Sequence, residues 1–160
     1  MCNNIDDSAF GLPCTDCNGD ERPACSILVS GGTGKKIPYR ITGGCIPFGP
    51  AILSVGEIAA HTSGSGEFVI NRTGQYTINY QVTIEHADTG TMTPRQTSVF
   101  LSSDRRGWLD GILLTAQKDS LSRCLTTTLE AGEKISLRFG DPSYQNITAI
   151  DPVIILRRVE

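Results

Sequence analysis

Apolar and polar residues alternate most regularly between positions 76 and 84. Tyr76, Ile78, Tyr80, Val82 and Ile84 are large and apolar, while Thr77, Asn79, Gln81 and Thr83 between them are polar. A period of two with one apolar face predicts a half-buried β-strand. Shorter runs predict further strands at Ile52–Ile58, Glu67–Ile70, Thr97–Leu101, Gly111–Ala116, Leu121–Leu129, Lys134–Phe139 and Val153–Val159. Turn-forming residues punctuate them, at Gly64-Ser65-Gly66, Asn71-Arg72-Thr73-Gly74 and Glu130-Ala131-Gly132-Glu133. No segment carries the 3.6-residue period of an amphipathic helix. Strands this short and this closely spaced predict an all-β, antiparallel sandwich or jelly roll. Phe68, Ile70, Tyr76, Ile78, Tyr80, Val82, Ile135, Leu137 and Phe139 are the expected core residues.

The N-terminal quarter has a different texture. Residues 1–45 hold Pro13, Pro23 and several Asn and Asp residues that break any periodicity. Within them, Ser26-Ile27-Leu28-Val29 predicts one short strand, and Ile37-Pro38-Tyr39-Arg40-Ile41 is a second apolar patch, suited to adding to a sheet edge or filling a groove of a neighbour. The expected organisation is an extended arm over 1–45 and a folded domain over 46–160.

Composition sharpens this division. Charged residues are 19% of the chain, below the usual ~25%. Glycine supplies 17 of the 160 residues, as expected for strands joined by tight turns. The net charge of −3, without a Lys/Arg-rich block, argues against nucleic-acid binding. No apolar run approaches the ~18 residues of a membrane span. Met1–Asp7 has neither the basic nor the apolar region of a secretory signal peptide, so export by the general route is not expected from these residues.

Chemistry-bearing residues concentrate in the arm. Four of the six cysteines, Cys2, Cys14, Cys17 and Cys25, lie in the first 25 residues, with Cys45 and Cys124 further on. Cys14-x-x-Cys17 has the spacing of a zinc half-site or a redox pair, and Cys2 and Cys25 are available to complete a four-thiolate site. The absence of a second such pair and of a βαβ context favours disulfides, which require an oxidising compartment. An arm with so little apolar content gains little from internal bonds, so Cys2, Cys14, Cys17, Cys25 and Cys45 are candidates for intermolecular ones. Cys124, inside a predicted strand, is expected to be a small buried hydrophobe.

Catalytic sets are hard to assemble. His61 and His86 are the only histidines, both are expected in exposed polar loops, and no G-x-S-x-G motif is present. Asp104, Asp110, Asp119, Asp141 and Asp151 are loop candidates for calcium, but they lack a dense D-x-D pattern. Trp108 is expected in a loop between strands, packing at a subunit face or over the sandwich end. No enzyme activity, cofactor or metal is expected.

Phe68-Val69-Ile70-x-x-x-Gly74-x-Tyr76-x-Ile78-x-Tyr80-x-Val82, followed by Leu129-Glu130-Ala131-Gly132-Glu133-Lys134-Ile135-Ser136-Leu137 and Val153-Ile154-Ile155-Leu156-Arg157, resembles the signature of C1q/TNF-like domains. The bacterial versions that end collagen-like spore-surface glycoproteins are the most similar. The resemblance implies a jelly roll of about ten strands that packs as a homotrimer, with apolar strand faces meeting at a three-fold axis, so that the core residues Phe68 to Phe139 named above are also its trimer-packing candidates. Two departures stand out: there is no collagen repeat, and a cysteine-rich arm is present. They point away from the tip of a filament and toward its repeating unit, similar to endospore appendages assembled from small β-sandwich subunits through N-terminal cysteine connectors. The partners implied are the chain itself, first as a trimer and then in higher-order assembly, and spore coat or exosporium anchor proteins, on the outer surface of a spore or cell. The alternative is an adhesin or receptor-binding head attached to a larger fibre or coat.

Overall fold

The computed structural model describes residues 26–32, 36–38, 44–86, 97–114, 118–140 and 147–159. Its strands are β1 (Ser26–Ser30), β2 (Ile37–Pro38), β3 (Ala51–Val55), β4 (Ala59–His61), β5 (Glu67–Ile70), β6 (Gly74–His86), β7 (Thr97–Ser103), β8 (Gly107–Leu114), β9 (Lys118–Leu129), β10 (Lys134–Phe139) and β11 (Ile147–Arg158). No helix occurs among the described residues. One sheet runs β3-β1-β11-β6-β9, with the short β2 paired to the far end of β11; the other runs β4-β5-β10-β7-β8. Every pairing is antiparallel.

The alternating pattern builds the core. Tyr76, Ile78, Tyr80, Val82 and Ile84 point inward from β6 and are buried, as are Ile135, Leu137 and Phe139 from β10 and Phe68 and Ile70 from β5. Ile154 and Leu156 from β11 and Leu28 from β1 close the same cluster. These side chains lie inside one protomer.

Tight turns set the sheet geometry. Between β9 and β10, Gly132 has φ +82°, and its N–H donates to Ile70 O while Ile70 N–H donates to Glu133 O. Between β3 and β4, Gly56 and Glu57 both have positive φ, +76° and +47°. A side chain on Gly56 would meet Ser26 Oγ at 2.5 Å, so this crossover between sheets needs glycine on both grounds.

Several boundaries differ from expectation. The single strand expected at Ile52–Ile58 is two, because the Gly56-Glu57 turn sends β3 and β4 into different sheets. Trp108 is in β8 rather than a loop, since β8 begins at Gly107. β11 begins at Ile147, before a register shift that falls between Ile150 and Val153. Most consequentially, β1 lies between β3 and β11 with Leu28 in the core, so residues 26–30 belong to the sandwich although they precede the expected boundary at 46. Of the patch Ile37–Ile41, expected to reach a neighbour, Ile37–Pro38 pairs with Ala149 and Thr148 of its own chain, and residues 39–41 lie outside the described residues.

Candidate functional site

The outward face of the six-stranded sheet departs most from an ordinary solvated surface. Register places Val29, Ile155, Asn79 and Cys124 in one row across it, with Leu53 on the adjoining strand. The next row holds Val55, Ile27, Arg157, Thr77 and Thr126, and Val153, Gln81 and Ser122 lie in a third. Thr83 and Ser120 hydrogen-bond across the same face at 2.8 Å. Aliphatic residues thus fill the β3–β1–β11 half, and neutral hydroxyls and amides fill the β6–β9 half. Arg157 is the one charged side chain in these three rows. Solvated sheet faces normally carry interspersed charges; a face without them is suited to being covered.

Exposed large apolar side chains cluster on two flanks. Ile52 (74% exposed), Leu53 (43%) and Val55 (41%) stand on β3, and Trp108 (55%), Ile112 (38%) and Leu113 (54%) on β8. Trp108 lies flat on Phe100, rings parallel within 6° and 4.4 Å apart, over Gly111. Its opposite ring face remains open to solvent.

The thiols separate into two groups. Cys2, Cys14, Cys17 and Cys25 lie outside the described residues. Cys45 and Cys124 are free thiols, Cys45 partly buried and Cys124 exposed. Cys124 corrects the expectation of a buried hydrophobe: Arg123 and Leu125 turn inward on β9, so Cys124 between them faces out. Cys45 bridges Arg138, near the end of β10 away from the Glu130–Glu133 turn. Ser26, to which residue 25 is joined, lies beside the Gly56 turn at the other end and in the other sheet.

Two ionic clusters fasten the sandwich, and neither was legible beforehand. Asp110 of β8 accepts from the Tyr80 hydroxyl (2.8 Å) and from Arg123 through Nη2 (2.7 Å) and Nε (3.1 Å), tying the free edges of β8 and β9 together. The Arg123 guanidinium holds the Asp110 carboxyl below the usual carboxylate range, against partial burial and with help from Tyr80. Burial first, then the Asp110 carboxylate, push the Tyr80 hydroxyl above its ordinary value. A carboxyl lowered in the folded state stabilises fully above its unfolded pKa of ~3.9, and that contribution is lost as pH falls through the folded value. Asp110→Asn is therefore expected to lower the urea midpoint at pH 7, with the gap to the parent narrowing steadily below pH ~4. A gap independent of pH would contradict this role.

The second cluster pins the β7–β8 turn to the β9–β10 turn. The buried Glu133 carboxylate accepts from the Ser103 hydroxyl, the Glu130 N–H (2.9 Å) and Arg106, through Nε (2.9 Å) and Nη2 (2.8 Å). Burial alone would raise its pKa, but these donors outweigh it and lower it. Arg105 adds an ion pair to Glu130 at 2.6 Å, and Lys134 N–H donates to Asp104.

Among the described residues, no acid–base or metal constellation converges. His61 is not the loop residue expected. It ends β4, stacks on Phe68 at 4.3 Å, and its ring nitrogens lie 2.9 Å from Gly49 O and 3.1 Å from Glu67 O. It acts as a structural strut. His86 ends β6, where its backbone pairs with Ile147. Of the calcium candidates, Asp110 is saturated by Arg123 and Tyr80, Asp104 and Asp119 accept backbone N–H groups, Asp151 has φ +47°, and Asp141 lies outside the described residues. No group of three metal-ligating side chains occurs among the described residues. No described helix is long and apolar enough to cross a membrane.

No family model matches the chain, and no curated protein matches its sequence. Solved structures do match its fold. Murine APRIL at pH 5.0 superposes with a TM-score of 0.63 at 13% identity, over 83% of this chain and 98% of that one. The globular domain of zebrafish complement 1qA gives 0.60 at 13%, over 84% and 98%. Eiger TNF from S. frugiperda gives 0.64 at 13%, over 85% and 93%. At these identities the likeness shows the fold: a C1q/TNF-like jelly roll.

Proposed function

We propose that the chain is a non-enzymatic structural subunit that forms a homotrimer and then a fibre on an extracellular or spore surface, joined through its N-terminal arms by intermolecular disulfides. The outward face of the six-stranded sheet, which carries Arg157 as the one charge in the three rows described above, supports this reading. A face with an aliphatic half and a hydroxyl half offers one protomer two different surfaces, as closed cyclic assembly needs. The C1q/TNF resemblance sets the expected number at three.

The arm supplies the connection between trimers. In its first 25 residues, which hold four of its thiols, the carboxylates Asp6, Asp7, Asp16, Asp20 and Glu21 outnumber the single cation, Arg22. Arg138, directly opposite Cys45, makes no ion pair among the described residues. An acidic, thiol-bearing arm rooted at one end and a cationic, thiol-bearing spot toward the other form a head-to-tail pair, and contacts of that kind extend rather than close. Each disulfide forms as two thiols lose two protons and two electrons to dioxygen or to a small disulfide. Spore coat or exosporium anchor proteins are the proposed partners at the fibre base.

Negative-stain electron microscopy before and after reductant tests this. Ordered filaments under oxidising conditions are expected, falling apart in reductant and absent in Cys14→Ser/Cys17→Ser protein. Discrete particles under every condition would overturn the fibre and favour an adhesin-like head.

A further inference from the structure

His61 sits where the two sheets are joined, and both of its ring nitrogens face acceptors. Nε2 lies 2.9 Å from Gly49 O, and Nδ1 lies 3.1 Å from Glu67 O. A backbone carbonyl only accepts, whereas a neutral imidazole has one N–H donor and one lone pair. Only the ring with two protons donates to both; a neutral ring turns a lone pair on one of the carbonyls. Stacking on Phe68 at 4.3 Å, with Phe48 edge-on at 6.4 Å, holds the ring in this plane. The Gly49 carbonyl also accepts the buried Ser30 hydroxyl of β1 at 3.0 Å, and Gly49 N–H donates to Gly31 O at 2.7 Å. Gly49 is thus tied to the β1 side of one sheet, while His61 and Glu67 lie on β4 and β5 of the other. The imidazole spans the two.

We propose that His61 is a proton-dependent clasp: with two protons it ties the Gly49 segment to β5, and with one it keeps a single tie and the crossover from residues 44–50 into β3 loosens. The two carbonyls are what the second proton serves, since no described carboxylate hydrogen-bonds the ring. On the segments packed against it, β1 and residues 46–50 carry no charge. Glu67 is on the opposite face of β5 from Phe68 and pairs with Lys134 of β10 at 3.6 Å, and Cys45 is a free thiol beside Gly66. The bond to Glu67 O is the longer and more exposed of the two, so Nδ1 is the nitrogen that gives up its proton. A fold that uses the second proton is favoured where protons are plentiful. The clasp's contribution is therefore full in mild acid and falls as pH rises through the imidazole range near ~6.5. That direction is opposite to those of Asp110 and Glu133, whose contributions fall in acid.

His61→Phe keeps a ring to stack on Phe68 and removes both donors. The gap in urea midpoint between parent and His61→Phe is expected to be about twice as wide at pH ~5.5 as at pH ~8, two hydrogen bonds against one. Asp110 and Glu133 stay ionised across that range, and His86, the other histidine, is common to both proteins, so neither changes the gap. A gap that is equal at both pH values, or wider at pH ~8, would overturn the clasp. Nitrogen-15 spectra of the parent give a reading that needs no variant and decides the matter if His61→Phe does not fold. At pH ~5.5 both His61 ring protons are expected to show couplings across hydrogen bonds, to the Gly49 and Glu67 carbonyls, and at pH ~8 only the Nε2 proton. A folded protein whose His61 ring holds one proton at pH ~5.5, or whose ring protons show neither coupling, would equally overturn it.

Discussion

Phe68→Ala is expected to destabilise the protein by about 3–5 kcal/mol, the range for deleting a fully buried phenylalanine. Phe68 has no solvent exposure, packs edge-on to Phe48 at 5.2 Å and carries the stacked His61 ring. Truncation removes apolar burial and leaves a cavity that the antiparallel pairings on both sides of β5 cannot close. It also takes the support from under the one side chain that links β4 to Gly49. Urea unfolding followed by far-ultraviolet circular dichroism, at matched protein concentration, measures the change. A loss below about 1 kcal/mol would show that this layer of the core repacks, contrary to the account.

Glu133→Ala is expected to cost about 3 kcal/mol, the lower end for breaking a buried ion pair. The lower end applies because Arg106, with 39% of its side chain exposed, turns to water once its partner is gone. The Ser103 hydroxyl, the Glu130 N–H and the turn itself do not recover so readily. Glu133→Gln keeps the shape and one acceptor oxygen and is expected to lose about half as much. The parent's advantage over both variants shrinks in acid, because a carboxyl lowered on folding loses its contribution as pH falls through the folded value. Equal stability of parent and Glu133→Ala at pH 7 would remove this cluster from the account.

What the sequence revealed, and what it concealed, follows from the range of each interaction. β6 and β10 were legible because their signal is local: five inward residues at period two, and a glycine turn next to Ile135 and Leu137. β1 was assigned to the arm because Ser26–Ser30 is separated by glycines and polar residues from everything it pairs with; its partners on β11 lie at Ile154–Arg158. The β3–β4 break was hidden because Glu57 adopts positive φ without being glycine. Tyr80, Asp110 and Arg123 come from three strands and share no local pattern, and Glu133 looks like any turn carboxylate until Arg106 and Ser103 are folded over it. Among the functional candidates, the arm cysteines were visible as a cluster, whereas the exposed β3 edge became visible only once its neighbours were known.

The claim that this sandwich is built to associate with copies of itself has one most direct test. Light scattering on the reduced parent protein at neutral pH measures its mass with all disulfides open. The account predicts about 52 kDa, three times the 17.2 kDa chain, since sheet faces rather than thiols hold the trimer. A mass of 17.2 kDa across a hundredfold range of concentration would contradict it.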